Sequence, residues 1–460
     1  MQTLAALKNG QLTSTIRLQL AENLTEFPRE IFDLADTLEV LDLSNNGLSS
    51  LPDDFGRLTQ LRILFLSNNQ FETLPKVLAD CPKLEMIGFK ANKIRTVDED
   101  ALPVQTRWLI LTDNKIEALP DSMGQLYRLQ KLALAGNRLS SLPESMANCK
   151  NLELVRLSAN QLTHLPDWLL QLPKLAWLAF AGNPLDNNAS ISEPSMVKAM
   201  LTVKMTDIDL AEQLGEGASG VIYKGQWNHQ PVSLHGTPDT IAVKLFKGEV
   251  TSDGYPADEL ACCLQAGEHT NLIKVISQIN EQEHLGLVME LIPPSFFNLG
   301  LPPSLVTCTR DTFESGTQFS VSQIAKILQQ MAATMTHLHR QAVSHGDLYA
   351  HNTMINSDAE MLFGDFGASS ELSVLPERQR EAMQAIEVRA FGCLLDDLLS
   401  VNAKHLNDEA EKSGQQALLS GLVQIRDSCL DDEFALRPRF FEISDKLASV
   451  VLQPVTEAQL

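Results

Sequence analysis

Residues 61–75 read LRILFLSNNQFETLP and residues 38–52 read LEVLDLSNNGLSSLP, so that leucine, asparagine and proline occupy equivalent places 23 residues apart. The asparagine of this pattern recurs at steps of 22 or 23 residues through the first half of the chain: Asn23, Asn46, Asn69, Asn92, Asn114, Asn137, Asn160 and Asn183. Such regular spacing predicts that one small structural unit is repeated along the chain.

The residue types within one repeat indicate the structure of each unit. Two leucines separated by one residue, as at Leu132 and Leu134, predict a short strand whose alternate side chains point into a core. The asparagine that follows is expected to turn the chain and to bond backbone groups of the neighbouring turn through its side-chain amide. Because one repeat cannot bury its own leucines, stability must come from stacking several repeats. In the first repeat Leu24 follows Asn23 directly, which indicates an atypical capping unit.

The pattern L-x-x-L-x-L-x-x-N-x-L-x-x-L-P resembles the leucine-rich repeat family over about residues 15–188. The resemblance implies an α/β solenoid, and we assign residues 1–188 to a leucine-rich repeat domain. The residues between the core leucines are expected to face its concave side. An exposed apolar stripe there is predicted to bind a partner protein, such as the substrate, through seven residues: Ile63, Phe65, Met86, Trp108, Ile110, Leu154 and Trp177. Packing of the stripe against the second domain is the alternative.

Composition and charge exclude several classes of protein. The chain has 460 residues, which predicts roughly two or three domains, and its net charge of −22 makes nucleic acid an unexpected partner. No apolar run approaches the roughly 20 residues of a membrane span and no secretory signal opens the chain, so we expect a cytoplasmic protein. The seven cysteines lack metal-ligand spacing, which argues against a zinc site or a disulfide framework. Nothing in the sequence indicates the oligomeric state.

A break in the repeat pattern divides the chain. Residues 189–204, which include Pro194, fit no repeat and are assigned to a linker. Residues 205–460 are assigned to a second domain. A proline-rich insert within it, residues 293–319, is expected to be a loop beside the mouth of a cleft, with no role that the sequence indicates.

The second domain opens with a glycine-rich motif. Gly215, Gly217 and Gly220 form a G-x-G-x-x-G pattern between two apolar stretches, which alone fits a tight hairpin or a dinucleotide site as well as a phosphate loop. Lys244, however, ends an apolar strand-like stretch 29 residues beyond Gly215. A dinucleotide fold would instead offer an acidic residue about 20 residues beyond its glycines. Glu259, in a predicted helix over residues 257–266, can pair with Lys244.

Three further motifs follow in order. Residues 345–352 read HGDLYAHN, residues 363–367 read FGDFG, and residues 387–392 read EVRAFG. Together with the glycine-rich motif and Lys244, this ordered set resembles the protein kinase catalytic domain over about residues 205–452. The resemblance implies an α+β bilobal domain that binds ATP and Mg²⁺.

The resemblance also implies a role for each residue. Lys244 would hold the α and β phosphates, Asp347 would orient the acceptor hydroxyl and receive its proton, and Asn352 would complete the catalytic set. Asn352 and Asp365 would be the magnesium ligands, because this ion prefers hard oxygen donors. The remaining predicted ATP-binding residues form the phosphate loop, the partner of Lys244 and the adenine pocket: Gly215, Gly217, Gly220, Ile222, Ala242, Glu259, Glu290, Ile292 and Met354. For the apolar members of this set, ordinary core packing is the alternative.

Four features depart from the kinase pattern. Gly346 replaces an arginine that commonly anchors an activation-loop phosphate, so we expect activity without phosphorylation between Asp365 and Glu377. Tyr349 stands where serine/threonine kinases usually carry lysine, and the tyrosine-kinase pattern is not met either. The segment up to Glu377 is short for peptide docking. Glu387 stands where aspartate is usual, in a motif expected to begin the central helix of the C-terminal lobe.

These residues are interpreted as those of an ATP- and Mg²⁺-dependent protein kinase, directed at serine or threonine but atypical, with repeats that recruit a protein. The architecture resembles leucine-rich-repeat kinases that lack a membrane span. A small-molecule phosphotransferase is one alternative, because the HGD form also occurs in kinases of small molecules. A pseudokinase scaffold is the other, and the presence of a residue at every catalytic position argues against it.

Overall fold

The computed structural model describes residues 2–185, 201–217, 219–247, 250–251, 253–282, 284–402 and 409–452. Most of the predicted linker, residues 189–200, lies outside the described residues. The chain divides into two compact units, and each is a separate body of packed elements. The first consists mainly of Met1–Leu175, and the second holds most of the later residues together with Ala176–Ala181.

The first unit is built on a parallel sheet. Among the residues that the structure describes, its strands follow one another in chain order: β1 (Arg17–Gln19), β2 (Val40–Asp42), β3 (Ile63–Phe65), β4 (Met86–Gly88), β5 (Trp108–Ile110), β6 (Lys131–Ala133) and β7 (Leu154–Arg156). Each strand pairs in register with the next. The middle residues, such as Leu64 and Leu132, are fully buried, which confirms the predicted strands with inward-pointing leucines.

Short helical turns form the other side of each repeat. Helix α1 (Leu4–Lys8) precedes the sheet, and α2 (Asp167–Leu170) follows β7. Between them lie 3-10 turns: Arg29–Leu34, Phe55–Arg57, Lys76–Asp80, Asp121–Gln125 and Glu144–Asn148. The proline that ends the repeat pattern often stands immediately before the turn, as Pro120 and Pro143 do. Proline suits this position because its fixed φ leads into a helical turn and no N–H donor is needed there.

Buried asparagines join each repeat to the one before it. In Asn114, Nδ2 donates to the carbonyl oxygens of Phe89 and Leu111 at 2.9 and 3.0 Å. Its Oδ1 accepts the backbone N–H of Ile94 at 2.9 Å. The same kind of contact recurs at the equivalent residues: Asn46, Asn69, Asn92, Asn137, Asn160 and Asn183. The predicted bonding between neighbouring turns is therefore confirmed.

The prediction of an exposed stripe on the concave side is wrong for most of its members. Four residues are buried, with between 1% and 7% of their surface exposed: Ile63, Met86, Leu154 and Trp177. Lateral packing accounts for this, because Ile63 lies in register beside Met86 and neighbouring strands are only about 4.8 Å apart. Three residues remain half-buried: Phe65, Trp108 and Ile110. Over the ring of Trp108, the Nζ of Lys131 lies 4.4 Å from the centroid.

The second unit begins with a mixed sheet. Strand β8 (Trp177–Ala179) belongs to this unit but not to this sheet. The sheet contains β9 (Thr202–Val203), β10 (Ile208–Glu216), β11 (Gly220–Trp227), β12 (Thr240–Phe246), β13 (Val275–Asn280) and β14 (Leu285–Glu290), in the order β10-β11-β12-β14-β13-β9. Neighbouring strands are antiparallel, except that β9 runs parallel to β13. Thr202–Val203, assigned above to the linker, is thus a strand. Helix α3 (Pro256–Ala266) matches the predicted helix before β13.

Helices dominate the rest of the second unit: α4 (Val321–Arg340), α5 (Glu377–Ser400), α6 (Glu409–Cys429) and α7 (Phe440–Leu452). Ser320 caps α4, because its Oγ accepts the backbone N–H of Gln323 at 3.2 Å. One stripe of α4 is fully buried: Ile324, Ile327, Leu328, Met331, Met335 and Leu338. None of the described helices combines the length and apolar character that a membrane span requires.

Helix α5 begins at Glu377, whereas the sequence predicted a start near Glu387. Pro376 stands immediately before the helix with φ −57° and ψ 152°. The ten residues that follow include no glycine or proline, so nothing interrupts the helix before Glu387. The short segment between Asp365 and Glu377 therefore leads directly into α5.

Short strands surround the catalytic motifs. Strand β15 (Phe297–Asn298) pairs with β17 (Thr353–Ile355), which pairs with β18 (Met361–Phe363). Strand β16 (Val343–Ser344) pairs with β19 (Ser370–Glu371). The predicted loop at 293–319 is mostly irregular, but β15 attaches it to the strand that follows residue 352.

Candidate active site

The glycine-rich motif forms the turn between β10 and β11. The N–H of Gly217 donates to the carbonyl oxygen of Gly220 at 2.9 Å. A Cβ at Gly215 or Gly217 would meet no atom within 4 Å, whereas a Cβ at Gly220 would lie 2.5 Å from the carbonyl oxygen of Leu245. Packing therefore explains Gly220. The first two glycines leave open space that a phosphate group can enter.

Lys244 on β12 contacts two carboxylates. Its Nζ donates to Oε1 of Glu259 on α3 and lies 3.3 Å from Oδ1 of Asp365. The side chains of Lys244 and Glu259 are only 10% and 4% exposed, so this is not a solvated surface pair. Burial opposes the charge of Lys244, but Asp365 and Glu259 outweigh it, so the pKa of Lys244 is raised. The predicted contact between Lys244 and Glu259 is confirmed.

Asp365 has a strained backbone and an available carboxylate. Its φ of 60° and ψ of 80° lie in the left-handed region, which costs a non-glycine residue about 1–3 kcal/mol and is found most often at functional sites. Desolvation raises the pKa of Asp365, but the charge and hydrogen bond of Lys244, with smaller contributions from His345 and Gly367, together outweigh it, and the pKa lies below its ordinary value. The side chain is 53% exposed. Asp365 therefore offers an ionised, accessible carboxylate at neutral pH.

Asp347 and Asn352 are held together in the catalytic loop, which we define as residues 345–352. The Nδ2 of Asn352 donates to the backbone oxygen of Asp347 at 3.0 Å and to its Oδ2 at 3.1 Å. Because Nδ2 is directed at Asp347, the Oδ1 of Asn352 is the atom that can face a cation. Asn352 and Asp365 thus provide one amide oxygen and one carboxylate, which are donor types that suit Mg²⁺.

Glu387 on α5 holds the start of the catalytic loop. Its Oε1 accepts the backbone N–H groups of His345 and Gly346 at 2.7 and 2.9 Å, and its Oε2 lies 2.7 Å from Nε2 of His339. Burial raises the pKa of Glu387, but the hydrogen bonds from His339 and Gly346, together with the electrostatic effects of His339 and His345, outweigh it, so the pKa lies below its ordinary value. Glutamate in place of the usual aspartate still binds two backbone donors.

His345 joins the catalytic loop to the FGDFG motif. Its ring stacks on Phe363 with centroids 4.1 Å apart, and its Nε2 lies 3.0 Å from the carbonyl oxygen of Gly364. Complete burial lowers the pKa of His345. The imidazole is therefore neutral, and Nε2–H donates to Gly364.

Gly346 is explained by its backbone and its surroundings. Its φ is +71°, and an added Cβ would collide with the carbonyl oxygen of Ala368 and lie 3.1 Å from that of Leu178. A residue with a side chain, such as the arginine usual in kinases, does not fit there without a backbone shift. The absence of arginine at this position thus has a packing cause.

Trp177 on β8 covers Tyr349. The two rings stack with centroids 4.5 Å apart and planes 6° apart, and the indole Nε1 of Trp177 donates to the carbonyl oxygen of Leu348 at 3.1 Å. The prediction that Trp177 binds a partner protein is therefore wrong, because its ring already stacks on Tyr349 and its indole N–H already donates to Leu348. Tyr349, two residues beyond Asp347, is 4% exposed.

Three predicted adenine contacts lie on strands of the second unit. Ile222 is in register with Lys244 on the next strand, Ala242 is on the same strand as Lys244, and Met354 is on β17. Ala242 is buried, while Ile222 and Met354 are half-buried. Their contact with adenine stays a prediction.

Glu290 and Ile292, the two residues whose backbone is predicted to contact adenine, line a cavity of about 550 Å³ together with residues 267–270 and 272–274, Pro293 and other neighbours. Lys274, which also lines this cavity, forms an ion pair with Glu290, with Nζ 2.8 Å from Oε1. The described lining does not include Lys244. This cavity is therefore distinct from the group formed by Lys244, Glu259 and Asp365, which we call the Lys244 cluster. The predicted contact of Glu290 and Ile292 with adenine stays a prediction.

Two family models match the chain. A model described as protein tyrosine and serine/threonine kinase matches residues 208–389. A model described as leucine rich repeat matches residues 14–71, 36–94, 104–162 and 127–185. The chain carries leucine-rich repeats and a protein kinase domain. The kinase match begins on β10 and ends in α5, so it contains the Lys244 cluster and the catalytic loop.

The chain is also similar to parts of longer proteins. It is 28% identical over 195 residues to the putative neurotrophin receptor LTRK 1 of Lymnaea stagnalis, covering 41% of this chain and 24% of that protein. It is 26% identical over 285 residues to the megakaryocyte-associated tyrosine-protein kinase of Mus musculus, covering 56% and 52%. It is 22% identical over 262 residues to the serine/threonine-protein kinase CLA4 of Eremothecium gossypii, covering 51% and 32%. The chain thus spans between about a quarter and a half of the length of these relatives.

Two contacts around the catalytic loop were not predicted from the sequence: that of His351 with Asp311 and that of His339 with Glu387. His339 binds Glu387 from the last turn of α4, whose sequence pattern indicates only a buried apolar stripe. Asp311 binds His351 across 40 residues, and nothing in the irregular insert marks it. The available signal is that Arg310 and Asp311 are adjacent charges in an insert with two proline pairs.

Proposed function

We propose that this chain is an ATP- and Mg²⁺-dependent protein kinase that transfers the γ-phosphoryl group to serine or threonine hydroxyls. The observation that carries the proposal is the Lys244 cluster, in which a buried lysine contacts both Glu259 and Asp365. In protein kinases the equivalent lysine–glutamate pair and the metal-binding aspartate must both be in place for transfer. The sequence of residues 347–352 meets neither the serine/threonine-kinase nor the tyrosine-kinase pattern, so the choice of serine or threonine is part of the proposal.

The residues of this chain divide the work of phosphoryl transfer, which requires positioning and charge neutralisation more than covalent chemistry. The loop at Gly215 and Gly217 leaves room for backbone N–H groups to approach the phosphates. The Nζ of Lys244 would hold the α and β phosphates. Mg²⁺, when bound at Asn352 and Asp365, supplies positive charge that neutralises the phosphates. Asp347 would orient the acceptor hydroxyl and accept its proton.

A small-molecule phosphotransferase is the second candidate, and the segment after Asp365 favours it. Helix α5 begins at Glu377, and Ser369 and Ser370 before it are buried. Tyr349 beside the catalytic aspartate is buried under Trp177. Little surface is left there on which a peptide could dock, whereas a small acceptor needs only the immediate surroundings of Asp347.

Acceptor specificity separates these functions. We would incubate the full chain with Mg²⁺ and γ-labelled ATP, either alone, with protein and peptide acceptors, or with aminoglycosides and choline. Label in phosphoserine or phosphothreonine supports the proposal, and label in a small molecule alone supports the second candidate. Nucleotide binding without transfer in every arm would identify a pseudokinase.

We propose in addition that the repeats recruit the protein substrate through the half-buried concave residues Phe65, Trp108 and Ile110. Leucine-rich repeats generally mediate protein interactions, and large aromatic side chains provide most of the binding energy at interfaces. The buried members of the predicted stripe are left out of this surface.

The recruitment test compares a protein substrate with a short peptide that carries only the acceptor site. Trp108→Ala combined with Phe65→Ala should raise KM for the protein about tenfold and leave turnover of the peptide unchanged. Tyr127→Ala removes an exposed aromatic ring elsewhere on the repeats and serves as the matched control. An unchanged KM for the protein would exclude this surface as the recruitment site.

A further inference from the structure

The irregular insert at residues 293–319 carries a buried acidic side chain, Asp311. It is 7% exposed, and acidic residues are rarely so buried unless their oxygens are bound. Both of its carboxylate oxygens have a partner, and both partners belong to the catalytic loop. The insert thus meets the chain at the point where the catalytic residues are presented.

Asp311 binds the second half of the catalytic loop. Its Oδ2 accepts the backbone N–H of Ala350 at 2.5 Å, and its Oδ1 lies 2.6 Å from Nδ1 of His351. Because a carboxylate only accepts hydrogen bonds, Nδ1 of His351 carries the proton. His351 immediately precedes Asn352, whose Nδ2 donates to the catalytic aspartate. The contact therefore fixes the backbone next to one of the site residues.

Arg310 attaches the same insert to α5. Its Nη2 donates to Asp397 at 2.6 Å, to Asp396 at 2.8 Å and to the carbonyl oxygen of Cys393 at 3.0 Å. The Arg310 side chain is 30% exposed, so most of this planar fork is shielded from water. Charge-assisted bonds of this kind are stronger and more directional than those of a solvated pair. Asp311 thus directly follows a residue that is attached to the central helix α5.

The catalytic loop is held on both sides of Asp347. Before it, Glu387 on α5 accepts two backbone N–H groups: those of His345 and Gly346. After it, Asp311 accepts hydrogen bonds from the backbone N–H of Ala350 and the ring of His351, and its neighbour Arg310 binds the same helix. Asp347 lies between these two supports.

We propose that Asp311 is a positioning residue for phosphoryl transfer, with Arg310 as its anchor on α5. Asp311 touches neither the nucleotide nor the acceptor in this assignment, and it acts by holding the backbone of residues 350–352. The proposal rests on the proposed function, because it concerns the same transfer step. A displacement of about 1 Å at a reacting group can lower the rate about 100-fold, so support of the loop affects turnover directly.

Steady-state kinetics of the full chain test this role. Asp311→Ala removes both acceptor oxygens and should lower kcat at least about tenfold. KM for ATP should stay within about twofold, because the phosphates meet the Lys244 cluster and not the insert. Asp311→Asn keeps an oxygen for the N–H of Ala350 but loses the carboxylate that His351 faces, and we expect an intermediate kcat.

Arg310 and Arg426 both bond to Asp396 of α5, so their alanine variants provide a matched comparison. Arg310→Ala should share the loss of kcat, because it releases the insert. Arg426→Ala also removes a bond to Asp396, which lies 3.3 Å from its Nη1, but no described hydrogen bond joins Arg426 to the insert or the catalytic loop. We expect the Arg426→Ala variant to keep the parent kcat.

Thermal unfolding of each variant checks that it is folded. If the Asp311→Ala variant is not folded, the Asp311→Asn variant is used for the test. Amide hydrogen exchange adds a readout that does not need turnover: exchange at Ala350 should accelerate in the Asp311 variants, while exchange at His345 and Gly346 stays slow. An active parent whose Asp311 variants keep kcat, or lose kcat and ATP affinity together, overturns the positioning role alone. A parent that transfers no phosphate to any acceptor overturns the proposed function, and the role of Asp311 in transfer falls with it.

Discussion

The repeats and the catalytic unit use buried polar side chains in opposite ways. In the repeats one contact is copied, as asparagines from Asn46 to Asn183 bind backbone groups of the preceding turn. In the catalytic unit each buried side chain has partners of its own: Glu387 holds the start of the catalytic loop and Asp311 holds its second half. The difference indicates that the loss of one asparagine should affect stability without affecting transfer, whereas the loss of one catalytic-unit carboxylate should affect transfer, with or without a loss of stability.

The same contrast exists in the backbone. The residue before each of the seven repeat asparagines from Asn46 to Asn183 adopts a positive φ: Asn45, Asn68, Ala91, Asp113, Gly136, Ala159 and Gly182. That conformation belongs to a repeated turn, so it indicates architecture. Asp365 adopts a positive φ within the FGDFG motif, beside Lys244 and with an accessible carboxylate. A strained residue therefore indicates function only where its side chain also has chemistry to perform.

Loss of Asp365 should give the largest effect among the variants that test this contrast. Asp365→Asn should lower transfer at least about 100-fold, because the carboxylate assigned to hold Mg²⁺ at the phosphates loses its charge. It should also weaken binding of the magnesium–nucleotide complex, measured by calorimetric titration. Asp358→Asn alters an exposed aspartate and is the control. Parent-like nucleotide binding by Asp365→Asn would refute its assignment as a metal ligand.

Glu387 should combine an effect on stability with a dependence on pH. Glu387→Ala removes the carboxylate that accepts two buried N–H groups, at about 1–3 kcal/mol each, so we expect the free energy of unfolding to fall by about 2–6 kcal/mol. Because the pKa of Glu387 lies below its ordinary value of 4.5, its contribution is present above pH 4.5 and is lost as the pH falls through the lowered pKa. Urea unfolding of parent and variant at pH 7 and in acid measures this. A difference between them that grows in acid would contradict the assignment.

Asn114 should show the opposite behaviour to the catalytic residues. Asn114→Ala removes one of the repeated asparagine contacts and should lower the free energy of unfolding by about 1–3 kcal/mol. Phosphoryl transfer to a short peptide that carries only the acceptor site should not change. Exposed Asn148→Ala is the control and should stay within about 0.5 kcal/mol of the parent. A large loss of peptide turnover in the Asn114 variant would show that the two regions are not energetically separate.

Ser373 should give the smallest effect. Ser369 and Ser370 are buried, and their hydroxyls bind the backbone at His345 and Phe180, so Ser373 is the more accessible serine of the segment. Ser373→Ala should keep activity within about twofold, because Gly346 offers no positive charge to a phosphate. A 100-fold loss of activity would show that phosphorylation of this segment is required after all.

Features encoded by residue type at fixed spacing could be predicted from the sequence. The 23-residue period gave the parallel strands and the asparagine contacts, and the ordered motifs gave the pairing of Lys244 with Glu259. The motif at Glu387 identified the central helix but not its start, because Pro376 rather than the motif determines where helical structure can begin.

Contacts between distant segments could not be predicted in this way. Trp177 fits the repeat pattern, yet its ring stacks on Tyr349, far along the chain. Gly346 looked like a lost phosphate anchor, but the neighbouring carbonyl oxygen of Ala368 leaves no room for a side chain. Asp311 lies in an insert without periodicity, where no local pattern reports a buried partner.

The most direct test of the proposed kinase activity is Asp347→Asn, measured beside the parent for transfer of the labelled γ-phosphoryl group and for nucleotide affinity on the same preparations. Asp347 is assigned to the acceptor and is bonded to Asn352, while the phosphates are assigned to the Lys244 cluster. We expect transfer to fall by about 100- to 10,000-fold with nucleotide affinity within about twofold of the parent. Equal transfer by the Asp347→Asn variant and the parent would contradict the assignment of this chain as a kinase that uses Asp347.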